Sequence, residues 1–283
     1  MRRDDRELDW RRFQRHEYVE PSADLAGYVN RYWIVSWGYE RPYRQLIRPS
    51  LSVQLVFRDG RAQVHGVTSA HTVQELAGSG RVLGVEFRPG CFRPFLGAPV
   101  RSITDRSVPA ATIFPGGPGG PAALADLADL ADLADLADLA DLADLADLAE
   151  PAEPGAPAEP GLDVVETMIR AQLPAPDPKL DLVCQLLDRI ATQPAIKRLD
   201  PLAAQFGTTP RQLQRLFAEY VGVGPNWTIR RCRLEEATER MAAGTKVDWT
   251  TLAAELGYAD QAHFVRDFTR LIGESPTKYA ERY

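Results

Sequence analysis

The sequence has few cysteines and no long apolar segment, and each deficit excludes a class of protein. Its 283 residues include three cysteines, Cys91, Cys184 and Cys232, with no Cys-x-x-Cys pair. This number and spacing predict separate, reduced thiols rather than a disulfide framework or a thiolate zinc site. No apolar run reaches the roughly 18 residues of a membrane span, and the first residues lack the apolar core of a secretory signal. We therefore expect a cytoplasmic protein that does not enter the membrane.

Histidine is also scarce, and its spacing does not match a metal site. His65 and His71 stand six residues apart and form neither His-x-His nor His-Glu-x-x-His. We predict no metal, no cofactor, no catalytic residue and no enzymatic activity.

Two interpretations of Cys91 remain open. Either nearby Arg88 and Arg93 lower its pKa toward a reactive thiolate, or the side chain is a small apolar filler.

Basic side chains are missing from one segment, which changes how the net charge of −6 is interpreted. Residues 121–161 hold 11 acidic and no basic side chains, whereas residues 1–120 hold 17 basic and 12 acidic ones. Residues 177–283 are near neutral, with 15 basic and 14 acidic side chains. The overall sign therefore does not exclude a polyanionic partner, but affinity for one would have to come from a basic face and not from net charge.

The acidic segment is a tandem Leu-Ala-Asp repeat followed by a tract rich in Pro, Glu, Gly and Ala. A period of three moves each leucine by about −60° around a helix, so the leucines form no single apolar face. Asp disfavours helix, and no Lys or Arg stands at i+4 to offset the like charges. We predict a low-complexity linker over 116–161, as a marginal solvated helix with a loose Pro-rich end. An acidic docking tract or a helical dimerisation element is the alternative.

A helix is predicted near the start of the N-terminal part, over residues 21–33. Ser22 is a candidate N-cap, and Leu25, Tyr28, Val29 and Trp33 share one helical face. The four aromatic side chains at positions 33, 37, 39 and 43 either line a ligand pocket or pack in a core.

Strands are predicted after this helix. Apolar residues alternate with mostly polar ones from Leu51 to Arg58, and Asp59-Gly60 is a two-residue hairpin signal. Residues 81–88 predict another strand that ends at Pro89-Gly90. The pattern predicts a small, mostly-β domain over 15–115, in the form of a barrel or a sandwich.

The C-terminal hundred residues have a helical pattern and contain one phrase twice. In the first copy, LAAQFGTTPRQLQRLFAEYVGVGP, Asp200 and Pro201 predict a helix start and Gly207 a helix end. Thr209 is the predicted N-cap of a second helix with Pro210 in its first turn. Its inward residues are Leu213, Leu216, Phe217 and Tyr220, and its outward residues are Arg211, Gln214, Arg215 and Ala218. The arrangement predicts a helix-turn-helix over 200–222.

The second copy, TLAAELGYADQAHFVRDFTRLIG, predicts the same arrangement over 250–272. Thr250 or Thr251 is the predicted first cap, Gly257 ends the first helix, and Asp260 caps the second. The predicted inward side chains are Phe264, Phe268, Leu271 and Ile272, and the outward ones are Ala262, His263, Arg266 and Arg270. Between the copies, residues 226–243 predict one helix without internal Pro or Gly. Its length would hold the two second helices roughly 34 Å apart, about one turn of B-DNA.

These residues resemble the AraC/XylS transcription regulators, in which two helix-turn-helix units are joined by a linker helix. The resemblance covers about residues 182–283 and is carried by both phrases and by Arg233-Leu234 with Ala237 in the linker helix. It implies base contacts from seven residues, Arg211, Gln214, Arg215, Gln261, Ala262, His263 and Arg266. Thr209 and Asp260 would cap helices whose N-termini favour phosphate. Arg230 and Arg231 are either phosphate contacts or solvated, whereas a structural bond is expected for Arg233.

The predicted fold is therefore an α+β two-domain chain. A mostly-β domain (15–115), which resembles the small β domain of one subgroup of these regulators, is followed by a linker (116–161) and an all-α double helix-turn-helix domain (162–283). The expected function is sequence-specific DNA binding as a transcription regulator or activator. The alternative is a sensor of a small molecule or protein whose DNA binding is a regulated output. Double-stranded DNA is the expected partner and RNA polymerase a candidate, while the effector and the oligomeric state are left open.

Overall fold

A computed structural model describes residues 13–115, 161–193, 195–242 and 248–281. Its strands are β1 (Gln14–Val19), β2 (Val29–Ile47), β3 (Gln54–Arg58), β4 (Arg61–His65), β5 (Thr72–Phe87) and β6 (Ser107–Pro109). They form one antiparallel sheet of order β1-β2-β5-β3-β4-β6. The predicted barrel or sandwich is therefore wrong in detail: all six strands belong to one sheet, and within the described ranges no pairing closes β1 onto β6. We call residues 13–115 the sheet domain.

One face of the sheet forms the core, as the alternating pattern predicts. Leu55 and Phe57 of β3 are fully buried, while Gln54, Val56 and Arg58 face the other side. Burying an apolar side chain of this size fully stabilises the folded state by about 1.5 to 3 kcal/mol relative to leaving it exposed. The predicted hairpin is confirmed, since Asp59 (φ 51°) and the following glycine (φ 64°) both adopt the left-handed conformation of a two-residue turn.

The helix predicted over residues 21–33 is wrong. The chain makes hydrogen-bonded turns from Ser22 to Val29 and then enters β2, the longest strand. Residues Val29 to Ile47 pair with β5 on one side, and part of the strand pairs with β1 on the other. β-branched and aromatic residues favour a pleated surface with partners on both sides, and this tertiary pairing overrides a helical spacing of apolar residues.

Helices make up most of the chain after the linker. They are α2 (Leu162–Arg170), α3 (Pro178–Thr192), α4 (Leu199–Gln205), α5 (Pro210–Tyr220), α6 (Pro225–Ala242), α7 (Trp249–Glu255), α8 (Gln261–Ile272) and α9 (Pro276–Ala280), and the sheet domain adds the short α1 (Arg93–Leu96). We call α4 with α5 the first unit and α7 with α8 the second unit. No described helix is both long enough and apolar enough to span a bilayer. The Leu-Ala-Asp tract, for which a marginal solvated helix is predicted, lies outside the described residues.

Two predicted helix starts are wrong by two or three residues. Helix α4 begins at Leu199, so Asp200 lies inside its first turn and Pro201 is its third residue. Proline is tolerated there because the first N–H groups of a helix have no intrahelical acceptor. Helix α7 is capped by Asp248, whose carboxylate accepts from Thr250 N at 3.0 Å, and not by either threonine. A carboxylate just before the first turn satisfies the unpaired N–H groups as well as a hydroxyl does.

The buried side chains form two main cores, and the boundary between them lies between the two helix-turn-helix units and not at the linker. One core runs without interruption from the sheet through Val165 and Val183 to Phe217 of the first unit. The second unit has its own core around Phe264, Phe268 and Leu271, to which α6 and α9 contribute. Trp227 on α6 packs against both. The first unit is thus continuous with the sheet domain, and the second is attached to it by α6 and by surface contacts.

Candidate nucleic-acid interface

Helix α5, the second helix of the first unit, starts at a capping box. Gln212 N donates to Thr209 Oγ1 at 3.2 Å, and Thr209 N donates to Gln212 Oε1 at 2.9 Å. The predicted cap at Thr209 and the left-handed Gly207 (φ 59°) are both confirmed. The reciprocal bonds satisfy two N–H groups that the helix cannot satisfy itself. Thr209 therefore positions the helix, and its hydroxyl is engaged by the cap.

The sequence-predicted contact residues of α5 are brought together at its N-terminal half. Arg211, Gln214 and Arg215 are all exposed, while Leu213 and Phe217 are buried in the core, as the 100° step predicts. The structure therefore presents one neutral and two cationic side chains, all able to donate hydrogen bonds, on one outward surface.

The C-terminal end of α5 rests against the sheet domain and α3. Thr104 Oγ1 donates to Gly222 O at 2.8 Å, and Arg93 Nη2 lies 3.1 Å from Glu219 Oε1. Tyr220 Oη donates to Asp177 Oδ2 at 2.5 Å. This bond lowers the pKa of Asp177, and burial together with the same bond raises the pKa of Tyr220 to about 12. The end of α5 that carries Glu219 is held, and the end that carries Arg211 is exposed.

Helix α8, the second helix of the second unit, also begins at a side-chain cap. Asp260 Oδ1 accepts from His263 N at 2.7 Å, which confirms the predicted cap. Gln261, Ala262 and Arg266 are exposed, and Gln261 Oε1 accepts from Thr250 Oγ1 at 3.3 Å. The sequence-predicted surface therefore forms at this helix as well.

His263 is placed differently from its predicted neighbours. It is half-buried, its Nε2 lies 3.7 Å from Asp267 Oδ2, and its ring meets the edge of Tyr258 with centroids 5.2 Å apart. The imidazole thus contacts its own helix and the preceding turn, which leaves less of it on the outward surface.

The C-terminal end of α8 also contacts the sheet domain. His71 Nδ1 lies 2.8 Å from Arg270 O, and a Cβ added at Gly273 would overlap Leu46. Nearby, Arg48 Nη2 donates to Tyr279 Oη at 3.1 Å. Sequence reasoning did not find these sheet residues, because they lie about 200 residues away along the chain and form no local motif. Both second helices are therefore held at their C-terminal ends and exposed at their N-terminal ends.

Two families match the chain. Residues 202–282 match a family described as a helix-turn-helix domain, and residues 17–109 match a domain of unknown function. The HTH-type transcriptional regulator GlxA of Rhizobium meliloti is 33% identical over 81 residues, which cover 29% of this chain and 25% of that protein. The regulator Rv1931c of Mycobacterium tuberculosis is 30% identical over 86 residues, covering 30% of this chain and 33% of that protein. Residues 202–282 are an AraC-type helix-turn-helix domain.

The chain therefore spans a quarter to a third of the length of these two curated relatives. Two solved structures are also similar to the chain. The C-terminal domain of AraT from Geobacillus stearothermophilus is 23% identical, with 38% of this chain and 87% of that chain covered and a TM-score of 0.33. ToxT from Vibrio cholerae is 12% identical, with 95% and 96% covered and a TM-score of 0.37.

Three arginines of α6 in the AraC-type domain have different environments. Arg233 is buried, and its Nη2 donates to the carbonyls of Ile190, Gln193 and Ile196, so the expected structural bond is confirmed. Arg231 Nε donates to Pro49 O at 3.1 Å, and its Nη atoms pair with Glu235. Arg230 is exposed, with Nε 3.7 Å from Asp267 Oδ2. Of the two predicted phosphate contacts, only Arg230 lies on the outer surface.

The AraC-type domain and the sheet domain show no metal-binding cluster in their described residues. His65 Nδ1 and Ser107 Oγ are hydrogen-bonded at 2.7 Å. Burial lowers the pKa of His65. His71 is engaged with Arg270 as described above.

Proposed function

We propose that the chain is a sequence-specific DNA-binding regulator of transcription whose helices α5 and α8 enter successive major grooves on one face of the duplex. The observation that carries this proposal is that both helices rest on the sheet domain by their C-terminal ends and expose their N-terminal halves. In helix-turn-helix proteins the N-terminal residues of the second helix contact base edges.

The base contacts that we propose follow from hydrogen-bonding chemistry. Arg211, Arg215 and Arg266 match the O6 and N7 acceptors of guanine, and Gln214 and Gln261 match the N6 and N7 atoms of adenine. The small side chain at position 262 allows a close approach to a thymine methyl group, and His263 would contribute at the edge of the surface. Arg230 is the better placed linker cation for a phosphate, because Arg231 is engaged by Pro49 and Glu235.

The proposal is tested by selecting bound duplexes from a random-sequence pool with the full chain and footprinting the selected sites. We expect two protected segments whose centres lie about one helical turn apart, roughly 34 Å. The double substitution of Arg211 and Arg266 by Ala should remove the footprint while the circular dichroism spectrum stays unchanged. A single protected segment of about six base pairs, or no selected sequence, would contradict the proposal.

We also propose that the regulator acts without catalysis, in the cytoplasm, with RNA polymerase as the partner through which it activates transcription. An in vitro transcription assay on a selected site distinguishes activation from repression. An increase in transcript that depends on Arg266 supports an activator, and a decrease supports a repressor.

A second candidate function, sensing of a small molecule, is favoured by a cavity on the sheet face opposite the core. The cavity has a volume of about 960 Å³, within the range of roughly 300 to 1,000 Å³ typical of ligand sites. Its walls include Trp33 and Trp37, whose indoles lie on Gly84 and Gly80 of the neighbouring strand. A Cβ at either glycine would overlap the indole, so the glycines allow the rings to pack against the strand, and the Arg58 guanidinium lies over the Trp37 ring at 4.8 Å.

The charge of the cavity wall indicates an anionic occupant. Arg31, Arg48, Arg58 and Arg61 line it; Arg31 pairs with Glu86 and Arg58 with Asp59, which leaves an excess of two positive charges. His16 and His65 add little charge, since burial lowers the pKa of both. Arg48 is also hydrogen-bonded to Tyr279 of α9, which would connect an occupant, through Arg48, to the helix that packs on the second unit.

This second function is tested with a pair of fluorescent probes of similar shape, anilinonaphthalene sulfonate and uncharged N-phenyl-1-naphthylamine. We expect the anion to bind about tenfold more tightly, a difference of about 1.4 kcal/mol. Arg58→Gln should remove that preference, while the control Arg44→Gln, an exposed position on β2 outside the cavity, should not. Equal affinity for both probes would argue against an anion site.

A further inference from the structure

Two of the three cysteines lie next to each other, which the sequence did not predict. Cys91 follows β5 and Cys184 lies on α3, 93 residues further along the chain, yet their Sγ atoms are 3.7 Å apart. The three thiols are free, as predicted, but the expected separation is wrong for this pair, because sequence spacing does not indicate that the sheet domain packs against α3.

The backbone around the pair is closely packed. Gly90 adopts the left-handed conformation (φ 85°), and a Cβ there would lie 2.6 Å from Cγ1 of Val183, the residue before Cys184. Cys91 N donates to Arg88 O at 2.9 Å, which closes the turn. Glycine therefore allows the loop to touch α3, and the contact keeps the two sulfurs near each other.

The two thiols differ in environment in the way that a reactive pair requires. Cys91 is fully buried, and its hydrogen bond to Cys184 together with burial raises its pKa. Cys184 is half-buried, and the same hydrogen bond, helped by the charge of Arg88, lowers its pKa. Cys184 is thus the more accessible thiol and the one from which a proton is lost more easily, and Cys91 is its buried neighbour.

We propose that Cys91 and Cys184 are an oxidation site at which a peroxide forms a reversible disulfide, fastening the sheet domain to α3. In the first step the Cys184 thiolate attacks hydrogen peroxide, which gives Cys184 sulfenic acid and hydroxide. In the second step the sulfur of Cys91 displaces the hydroxyl group from Cys184, the Cys91 proton leaves with it as water, and the S–S bond forms. A dithiol reductant reverses the reaction by thiol–disulfide exchange.

The bond would link the two domains independently of the linker. It closes a loop that contains the whole Leu-Ala-Asp tract, and α3 belongs to the core that also holds the first unit. Oxidation would therefore fix the first unit to the sheet domain and shift chemical unfolding of the chain to higher denaturant concentration, since a cross-link restricts the unfolded state.

The proposal is tested on the full chain by counting thiols under denaturing conditions before and after hydrogen peroxide. Wild type should fall from three thiols to one, with a linked peptide pair containing residues 91 and 184, and dithiothreitol should restore all three. Cys232→Ser is the matched control, because Cys232 lies on α6 and burial raises its pKa. This variant should fall from two thiols to none.

Single substitutions in the pair distinguish the mechanism from nonspecific oxidation. In Cys91→Ala the sulfenic acid at Cys184 has no partner, so dimedone should label Cys184. In Cys184→Ser, Cys91 should remain unlabelled. The wild-type count needs no folded variant, so a substitution that prevents folding does not affect it. Three thiols after peroxide, linkage through Cys232, or disulfides only between chains would each overturn the proposal.

Discussion

Arg230, Arg231 and Arg233 lie within one turn of α6, yet they have three different environments. Arg233 enters the core and binds three carbonyl oxygens, Arg231 contacts the sheet domain, and Arg230 remains exposed. A guanidinium suits the buried position, because its fixed fork of N–H groups reaches several acceptors at once and it is more weakly hydrated than an ammonium. At the residue scale, charge type alone therefore does not predict a DNA contact.

Replacing Arg233 with Ala should strongly destabilise the fold. The carbonyls of Ile190, Gln193 and Ile196 would lose their donor, and leaving a buried polar group unsatisfied costs about 1 to 3 kcal/mol each. We expect the free energy of unfolding in urea to fall by about 3 kcal/mol or more, with Lys restoring only part of it. Arg230→Ala on the same helix should change it by less than about 0.5 kcal/mol. Equal effects of the two Ala substitutions would contradict this assignment.

Replacing Arg266 with Ala should weaken binding to a selected DNA site. Its exposed position on α8 fits a base contact, and a good bidentate pair discriminates by about 1 to 3 kcal/mol. Gel-shift titrations on the site and on its single-base variants should show the loss and a relaxed preference at one base position. Arg189→Ala, an exposed cation on α3, is the control. Unchanged affinity together with unchanged base preference would disprove the assignment.

At the scale of elements, the position of α5 depends on its ends. Its start is set by the Thr209 capping box, and its end is set by Tyr220, whose hydroxyl binds Asp177 at the start of α3. Asp177 also accepts from Lys179 N at 3.0 Å and so caps α3. One carboxylate therefore fixes the start of one helix and the end of another, which ties the first unit to α3.

This carboxylate predicts a pH dependence of stability. The hydrogen bond from Tyr220 lowers the pKa of Asp177 in the folded state, so its contribution is present above the unfolded pKa and is lost as the pH falls through the folded pKa. The difference in unfolding free energy between wild type and Asp177→Asn should be constant from neutral pH down to about 5 and should shrink below about 4. Urea titrations at several pH values would measure it. A difference that grows on acidification would contradict the assignment.

At the scale of the whole molecule, the two helix-turn-helix units are held unequally. The first unit shares a core with the sheet domain, whereas the second has a separate core and meets the sheet domain through contacts at its edge. Among those contacts are His71 with Arg270, the close approach of Leu46 to Gly273 and, through α9, the hydrogen bond of Arg48 with Tyr279. Polar surface contacts are individually weak, so the second unit is expected to change its position more easily.

Replacing Arg48 with Ala should loosen the second unit selectively. The substitution removes a 3.1 Å hydrogen bond to Tyr279 and a cation over its ring at 5.6 Å. Hydrogen exchange should accelerate in α7, α8 and α9, while α4 and α5 keep their protection. Tyr279→Phe keeps the ring and removes the hydroxyl, so it should have a smaller effect in the same direction. A uniform acceleration that includes α4 and α5 would show that the cores are coupled.

The sequence by itself determined the features that depend on neighbours along the chain. The caps at Thr209 and Asp260, the left-handed Gly207, the Asp59-Gly60 hairpin and the inward faces of α5 and α8 all follow from local geometry. A helix face or a two-residue turn is defined within a few residues, so a pattern of that length is sufficient to predict it.

Only the tertiary structure decided the features that join distant segments. Residues 29–33 are in a strand because β1 and β5 pair with that segment. Arg231 donates a hydrogen bond to Pro49 O, and the sulfurs of Cys91 and Cys184, 93 residues apart in the sequence, lie in contact. Local spacing contains no information about which segment will pack against which. The free energy of burying a side chain or pairing a strand exceeds a local preference of less than about 1 kcal/mol per residue, and therefore it determined the outcome.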